Sequence, residues 1–340
     1  MRVALTKMSS LGDIVHTFPA LSDAAAHDIR VDWIVDEQFA DLVALHPAVE
    51  NVIPIALRGR GSAKYRSVSN GVRGSLKLLR GRSYDLILDA QGLIKSAFLS
   101  SLARSSNICG YTADSARESF AAVFYNKRMK VAKNQHAIER IRSLFGYFLN
   151  YDIPDTLNYG IEHKASREKL CVLIHGTTWN SKIWPEDMWL RLGQLAAASG
   201  MQVAIPWSGE TERNRATRLA SAFEATLWGE LPLRQLAKKL TKSCLVIGVD
   251  SGLTHLSAAL GNATVAIYGS TSHKLTGVRG RRALSLSAEF PCSPCLRKKC
   301  NYSGLERKWN GLAVSPSCYT TVTPDIVWKA AENLINENRV

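Results

Sequence analysis

The sequence predicts an α/β protein with two doubly wound parallel sheets, one in each half of the chain, facing one another across a cleft. Short apolar segments alternate with helical segments in both halves, which is the pattern of parallel sheets covered by helices. The alternation lapses between Tyr151 and Lys169, a polar stretch that contains Pro154 and Gly160. At 340 residues the chain is too long for one ordinary core and long enough for two.

The first half carries four strand segments of mainly apolar or β-branched residues, a composition typical of buried strands. The predicted strands are Arg2–Thr6, Val31–Val35, Val52–Ile55 and Tyr84–Asp89. The predicted helices are Asp13–Ala25, a segment around Phe39–Leu45, a basic helix before the fourth strand, and one from about Leu93. The order of these segments favours a Rossmann-like domain over residues 1–160.

The second half repeats the same alternation. Its predicted strands are Leu170–His175, Gln202–Pro206, Ala225–Trp228, Cys244–Val249 and Ala263–Tyr268. A helix or a turn follows each of them, so we expect a second Rossmann-like domain over residues 161–322. We expect residues 323–340 to form a C-terminal helix that packs back towards the N-terminal domain.

The charge is unevenly distributed along the chain. The formal net charge is +14, and no acidic residue occurs between Glu50 and Asp85. This basic block contains eight cations: Arg58, Arg60, Lys64, Arg66, Arg73, Lys77, Arg80 and Arg82. It indicates a polyanionic partner, such as a nucleic acid, an anionic membrane surface or a phosphorylated acceptor, or else a solvated helix face. With Tyr65 alone among these cations, a stacking platform for single-stranded nucleic acid is not expected.

No apolar run approaches the roughly 18 residues of a membrane span, and the N-terminus turns polar too early for a signal peptide. We therefore expect a cytoplasmic protein.

The turn after the first strand, Lys7 to Val15, combines small residues with Gly12 and so allows a ligand to approach the backbone. It has neither the GxGxxG pattern nor a Walker lysine, which excludes those two nucleotide sites. Asp13 has two interpretations here. It is either a helix cap or a general base at the mouth of the cleft.

Two turns of the second half suit an anion. His175 to Pro185 offers the hydroxyls of Thr177 and Thr178 with Lys182, a set that fits a diphosphate, although the hydroxyls would also serve as helix caps. Asp250-Ser251-Gly252 joins an apolar strand to an Ala-rich helix, so an anion can approach the helix N-terminus. His255 lies one helical turn later and either faces that site or is an ordinary core histidine.

The sequence resembles the ADP-heptose:lipopolysaccharide heptosyltransferases of glycosyltransferase family 9 along nearly its whole length, and most of all the heptosyltransferase I branch over the first 290 residues. The resemblance rests on several motifs in the order and approximate spacing of that family. They are Leu11-Gly12-Asp13, Asp89 to Ser96, Arg117-Glu118, Phe124 to Asn126, Gln135 to Arg140, Gly176 to Trp184, and Asp250 to His255.

This resemblance implies a GT-B fold with an N-terminal acceptor domain and a C-terminal ADP-heptose domain. It also implies inverting, metal-independent transfer of L-glycero-D-manno-heptose from ADP-heptose to the Kdo inner core of lipid A, with transient contact to the cytoplasmic face of the inner membrane and no nucleic acid partner. Asp13 would be the general base. The donor contacts would be Thr177, Thr178, Lys182, Glu212, Asp250, Ser251, Gly252 and His255. The acceptor contacts would be Ser10, Arg58, Arg60, Arg117 and His136.

Four cysteines cluster near the C-terminus: Cys292, Cys295, Cys300 and Cys318. Their number and the CxxC spacing are typical of a structural zinc or iron site, and a cytosolic disulfide is disfavoured. The alternative is a set of reduced cysteines that shape a loop. The segment resembles heptosyltransferase II and other relatives and departs from heptosyltransferase I. A core heptosyltransferase that acts later therefore stays open as an alternative, as does a non-catalytic α/β protein that binds polyanions.

Overall fold

The computed structural model describes residues 1–56, 71–163, 166 and 168–336. Two compact units divide the chain: Met1–Glu162 with Pro232–Arg234, and His163–Leu231 with Gln235–Val340. The division after Glu162 lies close to the boundary that the sequence predicts after residue 160. Arg58, Arg60, Lys64 and Arg66 of the basic block lie outside the described residues.

The first unit contains a six-stranded parallel sheet in the order β3-β2-β1-β4-β5-β6. Its strands are β1 Val3–Thr6, β2 Val31–Asp36, β3 Val49–Ile55, β4 Leu86–Asp89, β5 Ile108–Tyr111 and β6 Lys127–Met129. Its helices are α1 Leu11–Val15, α2 Phe18–Ala25, α3 Ala40–Val43, α4 Gly71–Arg80, α5 Ile94–Ser101 and α6 Ala137–Leu149, with 3-10 helices at Glu37–Phe39 and Ser119–Phe124. This strand order is that of a Rossmann fold.

The second half of the chain forms a parallel sheet in the order β12-β11-β10-β7-β8-β9. Its strands are β7 Leu170–Ile174, β8 Gln202–Pro206, β9 Thr226–Trp228, β10 Leu245–Val249, β11 Ala263–Tyr268 and β12 Ala283–Ser287, with a hairpin of β13 Lys308–Trp309 and β14 Leu312–Ala313. Its helices are α7 Glu186–Ala198, α8 Gly209–Phe223, α9 Leu233–Leu240, α10 Gly252–Ala259, α11 His273–Thr276 and α12 Pro324–Asn336, with 3-10 helices at Asn180–Lys182 and Ser317–Thr321. Numbered within its own half, this sheet has the same strand order as the first, and two doubly wound units are confirmed.

Every predicted strand is present, within a few residues of its expected bounds. The predicted helix Asp13–Ala25 is instead two helices, α1 and α2. Pro19 stands in the first turn of α2. The N–H groups of a first turn have no partner within the helix, so proline loses no hydrogen bond there and a new helix can begin. The Thr17 hydroxyl donates to the carbonyl of Asp13 (2.9 Å) and covers the junction.

The sequence analysis does not predict β5, β6 and β12 of the six-stranded sheets, nor the short strands β13 and β14. Of these, β6 and β12 are edge strands of their sheets. β6 has three residues, Lys127-Arg128-Met129, two of them exposed cations, so it has no apolar pattern to detect. β12 is only partly buried. Backbone pairing to a neighbouring strand forms these elements, and composition does not reveal it.

The described part of the C-terminal helix α12 lies in the second unit. The described part of α12 packs on α7 and on the strands β10 and β11 of its own unit. Val327, Trp328 and Ala331 belong to the buried core of that unit, with Trp184 and Trp189. These apolar residues recur at helical spacing, and the core of the second unit buries them.

Among the described residues, none of the helices is long and apolar enough to cross a membrane.

Candidate functional site

Two turns of the first unit meet where its strand order reverses. β1 and β4 are neighbours in the sheet, and ligands of doubly wound folds bind beyond the carboxyl ends of such strands. The side-chain oxygen of Gln91, after β4, accepts hydrogen bonds from the N–H groups of Met8 (2.9 Å) and Ser9 (3.2 Å), after β1. A buried amide therefore holds the two turns together.

Asp89, the last residue of β4, organises the second of these turns. Its Oδ1 accepts the N–H groups of Gln91 (2.8 Å) and Gly92 (3.2 Å). Its Oδ2 accepts the hydroxyls of Ser96 and Tyr125, both at 2.8 Å. Burial raises the pKa of Asp89 despite these bonds. All four of these partners belong to the first unit, so Asp89 shapes the turn.

Asp13 acts as a cap through one carboxylate oxygen. Its Oδ2 accepts the backbone N–H (2.9 Å) and the hydroxyl (3.0 Å) of Ser10, which fixes the start of α1. Its Oδ1 faces Lys7, whose Nζ is 3.5 Å away. The side chain keeps 28% of its surface exposed. Capping and a chemical role are therefore compatible, because different oxygens would serve them.

Lys7 is a nearly buried cation next to this carboxylate. Its ammonium also donates to the carbonyl of Ala90 (3.0 Å), which holds it between the two turns. Burial alone would raise the pKa of Asp13. The charge of Lys7, the N–H of Ser10 and the nearby His16 and Arg117 together hold that pKa below its ordinary value. Asp13 is therefore ionised at neutral pH.

The other acceptor candidates of the first unit lie around these turns. Arg117 is exposed, and its backbone N would be 3.3 Å from a Cβ placed on Gly92. His136 is buried, and its Nδ1 accepts the N–H of Ile138 (3.2 Å) at the start of α6. Its ring lies edge-on to His16, with 5.6 Å between centroids. Ser10, Arg117 and His136 thus gather near Asp13, whereas Arg58 and Arg60 are not described.

Asp250 is the centre of the candidate site in the second unit. Its Oδ2 lies 2.8 Å from the Nζ of Lys182 and accepts the hydroxyl of Thr271 (2.6 Å). Its Oδ1 lies 3.3 Å from Nε2 of His255, and its carbonyl accepts the hydroxyl of Thr177 (3.1 Å). Burial would raise the pKa of Asp250, but His255 and Lys182 lower it far below the ordinary range.

The turn after β10 is built to begin a helix. Ser251 is the N-cap of α10, and its hydroxyl accepts the N–H of Thr254 at 3.4 Å. Gly252 is the first helical residue, and Ser251 and Gly252 are half-buried. Thr178 is exposed, in the turn after β7. Hydroxyls, amides and Lys182 therefore occur together at the carboxyl ends of β7 and β10, which are neighbouring strands.

Glu212 packs directly against the backbone of the turn after β7. A Cβ on Gly176 would collide with the Glu212 carboxylate, so only glycine lets the two approach. The N–H of Ser208 donates to Oε2 of Glu212 (2.9 Å), and burial raises the pKa of this carboxyl group. Glu212 therefore lies at the same edge of the sheet as Thr177 and Lys182.

His175, the residue before Gly176, is fully buried. Neither ring nitrogen has a hydrogen-bond partner among the described residues. Burial, helped by the charge of Arg215, lowers the pKa of His175 to about 4. The imidazole is therefore neutral under the turn that carries the hydroxyls.

The four clustered cysteines surround one small cavity. Cys292, Cys295, Cys300 and Cys318 all line it, and its volume of about 20 Å³ has room for one water-sized group. Burial and then the nearby cysteines raise the pKa of Cys318 to about 12. Within the described ranges, no three His, Cys, Asp or Glu side chains are arranged to hold a metal ion. Coordination would therefore require these thiols to be rearranged.

Three residues of these sites were not singled out from the sequence: Lys7, Gln91 and Thr271. Lys7 and Gln91 lie in turns whose motifs the sequence did reveal, and a polar residue shortly after a buried strand was the available signal for all three. Their roles depend on partners far along the chain, which spacing does not identify.

Comparisons with known proteins agree on one family. The profile described as "Glycosyltransferase family 9 (heptosyltransferase)" matches residues 73–306. Lipopolysaccharide heptosyltransferase 1 of Pseudomonas aeruginosa is 41% identical, with 98% of each chain covered. The protein of that name from Escherichia coli K12 is 38% identical over 84% of this chain and 92% of its own. The solved structure titled "E. coli heptosyltransferase WaaC with ADP" matches with a TM-score of 0.82 at 34% identity, covering 98% of this chain and all of that one.

Proposed function

The chain belongs to glycosyltransferase family 9, the heptosyltransferases, and we propose that it transfers L-glycero-D-manno-heptose from ADP-heptose to the Kdo inner core of lipopolysaccharide. The observation that carries the proposal is the 41% identity to a lipopolysaccharide heptosyltransferase 1 over 98% of both chains. The fold is GT-B, with a Rossmann-like sheet in each unit. We further propose that the transfer inverts the anomeric centre and needs no metal ion.

The second unit is proposed to bind the donor. Lys182 would meet the diphosphate, assisted by the hydroxyls of Thr177, Thr178 and Ser251 and by the N–H groups at the start of α10. Glu212 would bind the adenosine ribose. Asp250 orients Lys182 and His255 by direct contact at 2.8 and 3.3 Å, and Gly252 leaves space against the helix start.

The first unit is proposed to bind the acceptor and to supply the base. Oδ1 of Asp13 would take the proton of the acceptor hydroxyl while that oxygen attacks the anomeric carbon and the bond to ADP breaks. The low pKa of Asp13 keeps the carboxylate ionised before the reaction. The negative charge that develops on the ADP diphosphate would be stabilised by Lys182 and the N–H groups of α10.

The acceptor is anionic, and cations near Asp13 suit it. Arg117 is exposed beside the two turns, and Ser10 and His136 would complete the contacts. The basic block, including Arg58 and Arg60, is proposed to meet the phosphorylated acceptor and the anionic cytoplasmic face of the inner membrane.

The decisive assay measures ADP release from ADP-heptose with Kdo2-lipid A and, separately, with an acceptor that already carries one heptose. Turnover with the first acceptor alone supports the proposed step, and turnover with the second alone assigns a later core step. Turnover in EDTA without added divalent ions is expected. A polyanion-binding protein without catalysis would instead show no thermal stabilisation by ADP and salt-sensitive nucleic acid binding.

The base is tested by Asp13→Asn, which keeps the size of the side chain and removes its basicity. Transfer should be lost, while ADP binding to the second unit should persist. Full turnover by this variant would contradict the assignment.

The cysteine cluster is proposed as a structural zinc or iron site, without a part in catalysis. The support is the thiolate chemistry of four cysteines around one cavity. Elemental analysis of the purified protein should find about one metal ion per chain, and the Cys292→Ser, Cys295→Ser double variant should lose it. If the purified protein contains no metal and the double variant is as stable as the wild type, the alternative holds, and the four reduced cysteines shape the loop.

A further inference from the structure

Four large apolar side chains of the first unit are unusually exposed. Ile94 and Phe98 on α5 are 41% and 52% exposed, and Phe120 and Val123 on the 3-10 helix Ser119–Phe124 are both 63% exposed. We call these four residues the apolar patch. Large apolar side chains scattered singly over a surface are common, but a group of them on neighbouring elements indicates an interaction site.

The two elements that carry the apolar patch pack together. Ile94 and Phe98 are four residues apart on a helix, and Phe120 and Val123 are three apart on a 3-10 helix, so each pair shares a face. The rings of Phe98 and Phe124 meet edge-on, with 6.1 Å between centroids. Small buried residues, namely Ala97, Ala121 and Ala122, form part of the contact between the two elements. Leu99 and Phe124 are partly buried, whereas the four residues of the apolar patch are exposed.

Cations dominate the chain around the apolar patch. Between Ile94 and Lys133 there are two acidic residues, Asp114 and Glu118, and seven exposed cations: Lys95, Arg104, Arg117, Lys127, Arg128, Lys130 and Lys133. Asp114 pairs with Lys130 (3.3 Å), and Glu118 accepts the N–H of Ile94 (2.7 Å). The segment from Ile94 to Lys133 therefore combines exposed aromatic and aliphatic groups with a net positive charge.

This combination matches the interface of an anionic bilayer. Apolar side chains can enter the boundary between headgroups and acyl chains, while Lys and Arg meet the lipid phosphates. A second copy of the chain is a poorer occupant, since a self-complementary contact would bring like charges together.

The apolar patch is also connected to the turns around Asp13. The helix α5 starts directly after the turn of Gln91 and Gly92, and Gln91 binds the backbone of the Asp13 turn. The N–H of Glu118 donates to the carbonyl of Gly92 (3.0 Å), which ties the 3-10 helix segment to the same turn. Both patch-bearing segments thus leave the edge of the sheet where Asp13 lies.

We propose that Ile94, Phe98, Phe120 and Val123 dock the first unit on an anionic membrane, with the surrounding Lys and Arg residues on the headgroups. This deepens the proposed function, because docking there would bring a lipid-linked acceptor next to Asp13. The membrane contact then depends on these described residues as well as on the basic block.

The test is cosedimentation of the full chain with vesicles of phosphatidylethanolamine and phosphatidylglycerol, compared with neutral phosphatidylcholine vesicles. We expect binding to the anionic vesicles, weakened by salt. Phe98→Ser combined with Phe120→Ser should lower the partition coefficient at least tenfold. If the double variant melts at a lower temperature than the wild type, the single variant Phe120→Ser is tested in its place. Leu305→Ser, at a position 81% exposed in the second unit, is the matched control and should bind like the wild type.

Unchanged vesicle binding by the folded double variant, or an equal loss in Leu305→Ser, would overturn the proposal. So would a wild-type dimer in sedimentation velocity that the double variant abolishes. The enzymatic readout separates this proposal from the proposed function. Turnover of a water-soluble deacylated acceptor should be unchanged in the double variant, whereas KM for the acceptor in vesicles should rise. If the wild type turns over neither acceptor, the proposed function fails and the vesicle binding still decides the docking surface.

Discussion

The ammonium of Lys182 lies 2.8 Å from Oδ2 of Asp250, and it also lies 4.7 Å from the centroid of the Trp179 ring. Lys182 follows β7 and Asp250 follows β10, and these strands are neighbours in the sheet. The ion pair is largely buried, which leaves the lysine with little freedom to move. A donor diphosphate would therefore meet a cation whose position is already set, and binding would cost little ordering of this side chain.

Lys182→Ala should weaken ADP binding by about 10- to 100-fold, because a charge-assisted bond to the diphosphate contributes roughly 1.5 to 3 kcal/mol. Isothermal titration calorimetry measures the change. Lys239→Ala is a matched control, since Lys239 also lies over a tryptophan ring (5.1 Å from the centroid of Trp228) but is exposed. Equal loss of affinity in both variants would show that general charge, and not this position, binds ADP.

Lys7→Met should move the acid limb of the pH–rate profile to higher pH. Burial raises the pKa of Asp13 and the charge of Lys7 lowers it, so removal of that charge leaves burial less opposed. A base must be deprotonated to act, and activity is lost as the pH falls through its pKa. The measurement is kcat/KM against pH. Lys130→Met, which breaks an exposed pair with Asp114, should leave the limb in place. If the acid limb does not shift in Lys7→Met, the group that titrates in this limb is not Asp13.

Gly176→Ala should weaken donor binding without removing any side chain of the site. Its Cβ would collide with the Glu212 carboxylate, so Glu212 must move away from the turn. Gly229→Ala is the control, since its Cβ would make an ordinary 3.5 Å contact with Trp207. We expect at least a tenfold rise in the Kd for ADP in Gly176→Ala alone. If ADP binds both variants as it binds the wild type, Glu212 does not contact the nucleotide.

His175 should make the second unit sensitive to mild acid. Its pKa is about 4 in the folded protein and about 6.5 when unfolded. Below pH 6.5 the unfolded chain takes up the proton first, so stability is complete above that pH and falls as the pH approaches 4. At about pH 4.5 the loss from this group is roughly 2 to 3 kcal/mol.

The measurement is urea unfolding of the wild type and of His175→Gln at pH 7 and at about pH 4.5. The variant should lose less stability between the two pH values, whatever its stability at pH 7. His46, whose pKa is also lowered to about 4 by burial, remains in both proteins and leaves a residual dependence on pH. Equal dependence in the two proteins would mean that His175 does not titrate on unfolding.

Two strands of opposite burial show what composition can predict. Leu245–Val249 is fully buried, and its unbroken apolar run was recognised as a strand from composition alone. Lys127–Met129 carries two exposed cations, and no pattern marks it as a strand. The split between α1 and α2 was not predicted either. Pro19 is compatible with the first turn of a helix, but it does not by itself show where the preceding helix ends. Local composition records burial, whereas strand pairing at an edge depends on the neighbouring backbone.

The amino-acid sequence was sufficient to predict the two doubly wound units, the turns that follow their strands, and the chemical groups in those turns, including Asp13, Lys182 and Asp250. These features are local, since they depend on periodicity, glycine positions and residue type. Which of these groups contact one another depends on the folded chain. Lys7 reaches the Ala90 carbonyl, and Thr271 reaches Asp250, because parallel pairing brings the carboxyl ends of neighbouring strands to one edge of the sheet. Residues distant along the chain become partners there, and no spacing in the sequence contains that information.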